Sequence, residues 1–216
     1  MAREHQARLC IVSETATGED ALSRVAAVLD TVDVAALLIS PAGAKPLDAA
    51  VAKPLVDAAQ EKGVAALIVS DAQLARTLRA DGVHLPWDKD AAKLYDEARQ
   101  IMGDRSIVGA NAGQSRHDAM TLCEAGADYV GFGISNDMED QEAARADRAA
   151  LIEWWNKIFQ VPCVAFDVES QREAAALAHL GADFVTLTLP AGLTAEELAH
   201  WAQDLENALT AREDAA

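Results

Sequence analysis

The sequence predicts an α/β fold, a closed parallel barrel of eight strands, and three observations lead to that prediction. A helix-to-strand junction occurs three times, and each copy follows an alanine-rich amphipathic segment and opens a short apolar one, at residues 80–85, 126–133 and 181–187. The copies lie roughly fifty residues apart, which leaves room for two βα units per interval. The length of 216 residues, 51% of them hydrophobic, suffices for one large core. We therefore expect a single (β/α)8 TIM-barrel domain over residues 1–216.

Each junction is expected to end a helix and to start a buried strand. A glycine just past a helix accepts the left-handed backbone that ends it, and β-branched and aromatic residues suit a buried strand. Hydrophobic periodicity divides the rest of the chain into alternating elements. The predicted strands are 9–13, 34–39, 64–69, 82–85, 106–111, 128–134, 162–166 and 184–189, and the predicted helices are 19–30, 47–62, 72–78, 91–102, 115–124, 145–159, 170–180 and 194–209.

Local composition marks several boundaries between these elements. Residues 40–46 are predicted to be a loop because of their proline and glycine content. Pro54 predicts a late start or a bend in the second helix, and Gly63 is expected to cap that helix. Residues 135–142 form a predicted acidic, solvated loop, and residues 212–216 a frayed tail. The sixth helix carries a stripe that we assign to the core rather than to a ligand platform, namely Leu151, Trp154, Trp155 and Ile158.

Charge and cysteine usage restrict the partners and the compartment. The formal net charge is −17 without a visible basic cluster, so we expect neither nucleic acid nor an anionic membrane as a partner. A small molecule or another protein is expected instead. Cys10, Cys123 and Cys163 are widely spaced in apolar segments, which predicts buried free thiols in a reducing compartment, the cytoplasm. No apolar run reaches the ~20 residues of a membrane span, and residues 1–6 lack the apolar core of a signal peptide.

Two segments carry a resemblance to a known family. Val69-Ser70-Asp71 is followed by a short helix and then by Ala-Asp-Gly-Val-His-Leu at 80–85, and Gly-Ala-Asp-Tyr-Val-Gly-Phe-Gly stands at 126–133. These segments resemble the thiamine phosphate synthase family and its TenI-like relatives, and the similarity covers nearly the whole chain. The resemblance implies a reaction that joins a hydroxymethylpyrimidine pyrophosphate to a thiazole phosphate, with loss of pyrophosphate and with the help of Mg²⁺. Family analogy alone also suggests a homodimer.

The resemblance places a magnesium site after the third and fourth strands. Asp71 falls at the family's magnesium-contacting aspartate, and an N-cap of the next helix explains it equally well. Lys89 stands at the second acidic position, so Asp88 would serve as a ligand only if the loop shifted, and we favour an N-cap for Asp88. His84 lies at a strand position whose side chain should point into the barrel, so we expect it to be a hydrogen-bonded interior histidine.

The positions that bind anions in the family depart from its pattern. Where the family has Gln-x-Arg-x-Lys after strand two, this chain has Leu-Leu-Ile-Ser-Pro at 37–41. Asn111 keeps one donor where the family has hydroxyls, and residues 135–140 are acidic where a lysine is expected. The glycine pair after strand seven is replaced by Phe166 and Asp167, and we expect the ring to block a phosphate and the carboxylate to repel it.

The segment after strand eight also departs from the family pattern. After strand eight the family's small pair is replaced by Leu189 and Pro190, and proline has no N–H to offer.

We expect a diverged homologue, non-catalytic or with an altered ligand that binds at the C-terminal face of the barrel; the alternatives are an active thiamine phosphate synthase and an acidic protein-interaction module. The candidates are Asp71 and Asn111 for catalysis, His84, Asp167, Gly109 and Gly133 for ligand binding, and Asp71 with Asp88 for Mg²⁺ if the family activity is retained. Convergence of Asp71, His84, Asn111 and Asp167 at the barrel mouth would form a pocket that favours cations.

Overall fold

Strands and helices alternate eight times in the computed structural model, which describes residues 6–15, 18–43, 45–135 and 138–210. The strands are β1 (Arg8–Thr15), β2 (Val34–Pro41), β3 (Ala65–Val69), β4 (Gly82–Leu85), β5 (Ile107–Asn111), β6 (Tyr129–Phe132), β7 (Cys163–Ala165) and β8 (Phe184–Thr188). The helices are α1 (Gly18–Leu29), α2 (Ala49–Glu61), α3 (Ala72–Leu78), α4 (Ala91–Met102), α5 (Arg116–Glu124), α6 (Gln141–Ile158), α7 (Gln171–His179) and α8 (Ala195–Thr210). The predicted tail at 212–216 lies outside the described residues.

The eight strands form one closed parallel barrel, which confirms the predicted (β/α)8 architecture. Each strand pairs with its neighbours in the sequence, and β8 pairs with β1 to close the sheet. Val12 of β1 lies between Leu38 of β2 and Thr188 of β8, for example. Because all strands run in one direction, the loops after their carboxyl ends gather on one face, which we call the mouth of the barrel.

Side chains along each strand alternate between two apolar layers, as the pleat requires. The outer layer packs against the helices and includes Ile11, Leu37, Ile68, Val130 and Val185. The inner layer fills the barrel and includes Cys10, Leu38, Leu67, Tyr129, Val164 and Phe166. The barrel is therefore a packed core, and a ligand site has to lie above it at the mouth.

An aspartate in each repeated junction makes a reciprocal pair of backbone hydrogen bonds. The Asp81 N–H donates to the carbonyl of Ala66 (2.9 Å), and Asp81 Oδ2 accepts from the Ala66 N–H (2.8 Å). The same two bonds join Asp128 to Val108 (3.1 and 2.8 Å) and Asp183 to Cys163 (3.1 and 2.8 Å). Each aspartate thus attaches the start of one strand to the preceding strand, at the end of the barrel opposite the mouth.

The glycine prediction is confirmed at two of the three junctions. Gly126 and Gly181 have φ of 92° and 101°, in the left-handed region that only glycine adopts without strain. At the first junction the left-handed residue is Arg79 (φ 58°), the C-cap of α3, because Gly82 already belongs to β4. A Cβ at Gly82 would lie 2.1 Å from the Ile107 carbonyl oxygen, so this glycine permits close strand contact instead.

Three boundaries differ from the prediction for local reasons. Ser40 and Pro41 extend β2, because they pair with Glu14 and Thr15 of β1. Helix α2 begins at Ala49 with Asp48 as its cap, and contains Pro54 in its interior. Helix α6 begins at Gln141, four residues earlier than predicted, because Asp140 Oδ1 accepts a hydrogen bond from the Ala143 N–H (2.9 Å).

The predicted core stripe of α6 is partly wrong. Leu151 and Trp155 are buried, but Ile158 is 60% exposed at the last turn of the helix. The buried face is instead completed by Ala144, Ile152 and the fully buried Arg148. A charged residue therefore occupies a position in the most buried face of this helix.

Two of the three cysteines behave as predicted. Cys10 and Cys163 are buried free thiols, and burial raises the pKa of each to about 12. Cys123 is also free but only partly buried, because it lies near the end of α5. Among the described helices, none has both the length and the apolar character that crossing a membrane requires.

Removal of the Asp81 carboxylate tests the reciprocal bond. Asp81→Ala leaves the N–H of the fully buried Ala66 without its acceptor, so we expect the free energy of unfolding to fall by about 1–3 kcal/mol. Asp81→Asn keeps an oxygen acceptor and should lose less. Urea denaturation measures the difference, with the exposed Asp104→Ala as control. Equal stability of the Asp81→Ala and Asp104→Ala variants would show that the bond contributes nothing.

Candidate functional site

Asn111 and Asp167 meet around Gly133 at the mouth of the barrel. A Cβ at Gly133 would lie 2.5 Å from both Asn111 Nδ2 and Asp167 Oδ2, so only glycine leaves room for the two groups. Asn111 Oδ1 accepts a hydrogen bond from the Gly113 N–H, and Asp167 Oδ2 accepts one from the Ile134 N–H, each 2.8 Å long. Asn111 is only 8% exposed, and its Nδ2 is directed at the same point above Gly133 as Asp167 Oδ2. Three predicted site residues are thus brought together.

Asp167 has a backbone conformation that is uncommon for a residue other than glycine. Its φ of 56° lies in the left-handed region, which residues other than glycine rarely adopt. The residue as a whole is exposed, while Oδ2 is turned into the protein. Burial of the carboxyl raises the pKa of Asp167, and the Ile134 N–H and the charge of Arg148 oppose that shift by favouring the ionised form.

Arg148 of α6 holds the loop after β7 in this conformation. Its Nη1 donates to the carbonyl oxygens of Phe166 and of Asp167, the second at 2.9 Å. Its Nη2 pairs with Glu173 of α7, and Glu173 also accepts a hydrogen bond from the Glu169 N–H (2.9 Å). Burial lowers the pKa of Arg148, an effect that the adjacent Glu173 carboxylate counteracts. The guanidinium therefore acts as an internal clamp on the loop.

Arg148 is not among the residues that the sequence pattern assigns to the site. Its signal is an arginine inside the apolar face of α6, in register with Ala144, Leu151 and Trp155. A charge at such a position requires a partner, because burial of an unpaired charge is costly. Its Nε has no hydrogen-bond acceptor among the described residues, so one N–H group of the guanidinium is not hydrogen-bonded.

His84 lies below the mouth, which confirms the prediction of an interior histidine. Its Nδ1 shares a hydrogen bond of 2.8 Å with the Tyr129 hydroxyl, and its ring stacks on Phe166 with 4.3 Å between centroids. Burial lowers the pKa of His84 to about 3, so the ring is neutral near pH 7. Gly109 makes room for Tyr129, whose ring would lie 2.1 Å from a Cβ at that position.

Phe166 does not lie where the sequence predicted an obstacle to phosphate. Its ring packs inside the barrel against His84, and a Cβ at Gly131 would lie 2.7 Å from ring atom Cε2. The side chain therefore forms the floor of the mouth instead of projecting into the loop. The group that the loop after β7 presents near the mouth is the carboxylate of Asp167.

The two candidate magnesium ligands are both engaged in local turns. Asp71 Oδ1 accepts from the Leu74 N–H (2.8 Å) and caps α3, whereas Asp88 Oδ1 accepts from the Asp90 N–H (2.8 Å). The prediction of Asp88 as the N-cap of α4 is wrong, because the helix begins at Ala91 and Asp90 occupies the cap position. Across the parts of the chain that the structure describes, no three His, Cys, Asp or Glu side chains are grouped as a metal site. Mg²⁺ needs several oxygen ligands, so these carboxylates do not fit a site built by the protein alone.

Trp87 is a large exposed side chain beside this cluster. It is 53% exposed in the loop after β4, and its Cδ1 would lie 2.6 Å from a Cβ at Gly113, whose φ is 59°. The glycine therefore lets the indole edge contact the loop after β5. Trp87, Gly113, Asn111, Gly133 and Asp167 form a continuous set of contacts over the ends of β4 to β7, which we call the mouth arc. The sequence pattern did not single out Trp87, although an aromatic residue in a charged loop was a visible signal.

The buried state of His84 predicts a pH dependence of stability. Its pKa is about 3 in the folded chain against 6.5 in the unfolded chain, so between these values only the unfolded state binds the proton. The free energy of unfolding should therefore fall as pH decreases through this window, by up to about 1.4 kcal/mol per pH unit. His84→Gln keeps a polar partner for Tyr129 and removes the titration. Urea denaturation at pH 7 and 4.5 should show a smaller loss for this variant, and an unchanged loss for the exposed His117→Gln. Identical losses in all three proteins would contradict the assignment.

The Arg148 clamp predicts a non-additive pair of substitutions. Arg148→Met leaves the Glu173 carboxylate and two carbonyl oxygens without their donor, so we expect a loss of about 3–5 kcal/mol in unfolding free energy. Adding Glu173→Leu should recover part of that loss, because no unpaired charge remains. Arg145→Met, which removes a more exposed partner of Glu173, is the control and should cost about 1 kcal/mol or less. A double variant as unstable as the sum of the single variants would refute the clamp.

Comparisons with known proteins agree with this architecture. A family model described as thiamine monophosphate synthase matches residues 9–189. A thiamine-phosphate synthase of Hyphomonas neptunium is 42% identical over 130 residues, which are 60% of this chain and 58% of the relative. One of Erythrobacter litoralis is 37% identical over 142 residues, 65% of each chain. The matches thus span less than two thirds of either relative.

A solved structure adds support for the fold alone. Thiamine phosphate pyrophosphorylase from Pyrococcus furiosus superposes with a TM-score of 0.73 at 18% identity, covering 95% of this chain and 96% of the other. The family model spans nearly all of the barrel, from β1 to the residue after β8. Together with the curated relatives, this match relates the chain to thiamine biosynthesis. The chain belongs to the thiamine monophosphate synthase family.

Proposed function

We propose that this chain is an altered-ligand member of its family, which binds a heteroaromatic ligand of thiamine metabolism at the mouth arc without the usual displacement of pyrophosphate. The observation that carries this proposal is the Asp167 carboxylate, which stands beside Asn111 where the resemblance to the family implies a glycine. A carboxylate in a partly buried place repels a phosphate, because the local dielectric screens the repulsion poorly. Asp167 therefore favours a neutral or cationic ligand.

The hydrogen bonds made by Arg148 and Arg24 support the proposal. Arg148 donates to carbonyl oxygens of the loop after β7, and Arg24 of α1 donates to the carbonyl oxygens of Pro190 (2.5 Å) and Leu193 (3.0 Å) in the loop after β8. In both cases the guanidinium stabilises the loop and is not directed at a ligand. An anion would then have to be bound without these charges, in a chain whose net charge is −17.

The polar groups of the mouth arc are arranged for binding and orientation. Asn111 Nδ2 is a hydrogen-bond donor, and the Asp167 carboxylate is an acceptor beside it. Phe166 and the neutral His84 supply a rigid apolar floor beneath them. Such a set can select a heteroaromatic ring with polar atoms at its edge, because the amide and the carboxylate can hydrogen-bond that edge while the ring lies on the apolar floor.

An active thiamine-phosphate synthase is the second candidate function. It is favoured by the 42% identity with a relative of that name and by Asp71, which is exposed immediately beyond β3 on the mouth side of the barrel. That candidate requires Mg²⁺, and Asp71 is the carboxylate that the resemblance assigns to the ion. Under this candidate the Asp71→Ala variant would lose the activity, while Asp167→Gly would change it little.

A pyrophosphate-release assay tests the proposal. The chain is mixed with hydroxymethylpyrimidine pyrophosphate, thiazole phosphate and Mg²⁺, and we expect no release above the protein-free blank. Isothermal titration with thiazole phosphate should likewise show no heat at millimolar ligand, because Asp167 opposes the anion. Release of pyrophosphate that disappears in Asp71→Ala and persists in the exposed Asp104→Ala would refute the proposal and establish the second candidate.

A further inference from the structure

We propose that the outer face of α6 binds a second copy of this chain, so that the α6 helices of the two copies pack antiparallel in a symmetric dimer. Two features of this face lead to the partner: an exposed apolar ridge along α6 and a pair of unpaired opposite charges beside it. The proposal does not depend on the ligand of the mouth arc, because the ridge lies on the outside of the barrel.

The ridge is a row of apolar residues spaced by four along α6, namely Ala146, Ala150, Trp154 and Ile158. Side chains at this spacing lie one above another and form the ridges through which helices most often pack against each other. Ile158 is 60% exposed, more than any other large apolar side chain among the described residues. Both alanines are exposed as well, and Trp154 is partly exposed. The longest helix of the barrel therefore turns an apolar row toward solvent.

The ridge is complementary in shape to its own reverse. Its first half is small and its second half is large. In an antiparallel pair centred near residue 152, Ile158 lies against the partner's Ala146, and Trp154 lies against the partner's Ala150. A parallel pair would set large against large and would leave a gap between the alanines, whereas protein interfaces pack without such gaps. Two-fold symmetry repeats each favourable contact.

Two unpaired charges of opposite sign lie on the same side of the ridge. Asp147 precedes Trp154 by seven residues, two helical turns, so both lie on the side of α6 that faces α5. There Arg116 of α5 lies over the Trp154 ring, with 4.8 Å from the guanidinium carbon to the centroid. In the part of the chain that the structure describes, neither Asp147 nor Arg116 forms an ion pair.

An antiparallel dimer brings these charges together. A two-fold axis across the helices keeps the α5 side of one copy beside the α5 side of the other. Asp147 then faces the last turns of the partner's α6, where the partner's Arg116 lies over its tryptophan. The symmetric contact forms two such ion pairs, which fix the direction in which the helices meet. This charge complementarity favours a second copy over an unrelated partner.

The charge of α6 also allows two acidic chains to meet there. The helix contains three acidic and three basic residues, whereas α8 contains four acidic residues and no lysine or arginine. Repulsion between chains of net charge −17 is therefore weaker at α6 than at α8. The ridge is about 18 Å long from Ala146 to Ile158. Met120, one turn after Arg116, is 36% exposed and widens the contact. A contact of this size predicts a weak, reversible dimer.

Sedimentation velocity of the full chain tests the proposal over a concentration series from about 1 µM to 1 mM. We expect a monomer at the low end and a growing fraction of dimer at the high end. Ile158→Glu and Ala150→Glu each place a charge in the ridge, and each should raise the dissociation constant about tenfold or more. Leu22→Glu, at an exposed position of α1, is the control and should leave it unchanged. Circular dichroism establishes that each variant is folded.

A charge exchange tests the antiparallel direction. Asp147→Arg sets two arginines against each other across the interface, and Arg116→Asp sets two aspartates against each other. Either change should raise the dissociation constant about tenfold. The double variant Asp147→Arg with Arg116→Asp restores opposite charges and should dimerise nearly as well as the unchanged chain. Lys53→Asp on α2, a charge reversal of the same kind away from the ridge, is the control.

Three outcomes would overturn the proposal. A chain that stays monomeric over the whole series would assign the ridge to a different protein. A dimer that neither Ile158→Glu nor Ala150→Glu weakens would lie on another face, and a double exchange that dimerises no better than the single exchanges would exclude the antiparallel pair. The pyrophosphate-release assay measures the proposed function separately, because none of these variants changes a residue of the mouth arc.

Discussion

The reciprocal hydrogen bonds of the repeated aspartates are the constraint on which the barrel depends. Asp81, Asp128 and Asp183 each fix the start of one strand to the backbone of the strand before it. A parallel barrel closes only with one stagger between neighbouring strands, and a shift of one residue would turn every inward side chain outward. Because these bonds lie at the end of the barrel opposite the mouth, the residues at the mouth are free to change without loss of the fold.

Closure of the barrel in this register creates the mouth arc. Gly133 lacks the side chain that would separate Asn111 from Asp167, and Arg148 holds the loop that carries Asp167 in a left-handed conformation. Phe166 closes the barrel beneath them by stacking on His84. Residues from the loops after β5, β6 and β7 therefore contact one another at the mouth, above an aromatic floor.

Two arginines and the Asp167 carboxylate lie close to the loops that form the mouth. The arginines that reach the loops after β7 and β8 neutralise main-chain carbonyls, as Arg24 does for Pro190 and Leu193. The Asp167 carboxylate remains near the mouth. Membership of the family thus establishes the barrel and the relation to thiamine biosynthesis, whereas the ligand depends on a few side chains that relatives of similar fold need not share.

The sequence alone determined the fold class, the family and the bounds of elements with clear local signals. The limits of α3, α4 and β4 were predicted to the residue, because hydrophobic periodicity and flanking turn residues act within a few positions. The interior place of His84 followed from the same alternation. Only the tertiary structure decided the place of the Phe166 ring, the clamp of Arg148 and the meeting of Asn111 with Asp167. These depend on contacts between elements far apart in the chain, and local patterns do not encode which side chains will face one another across the closed barrel.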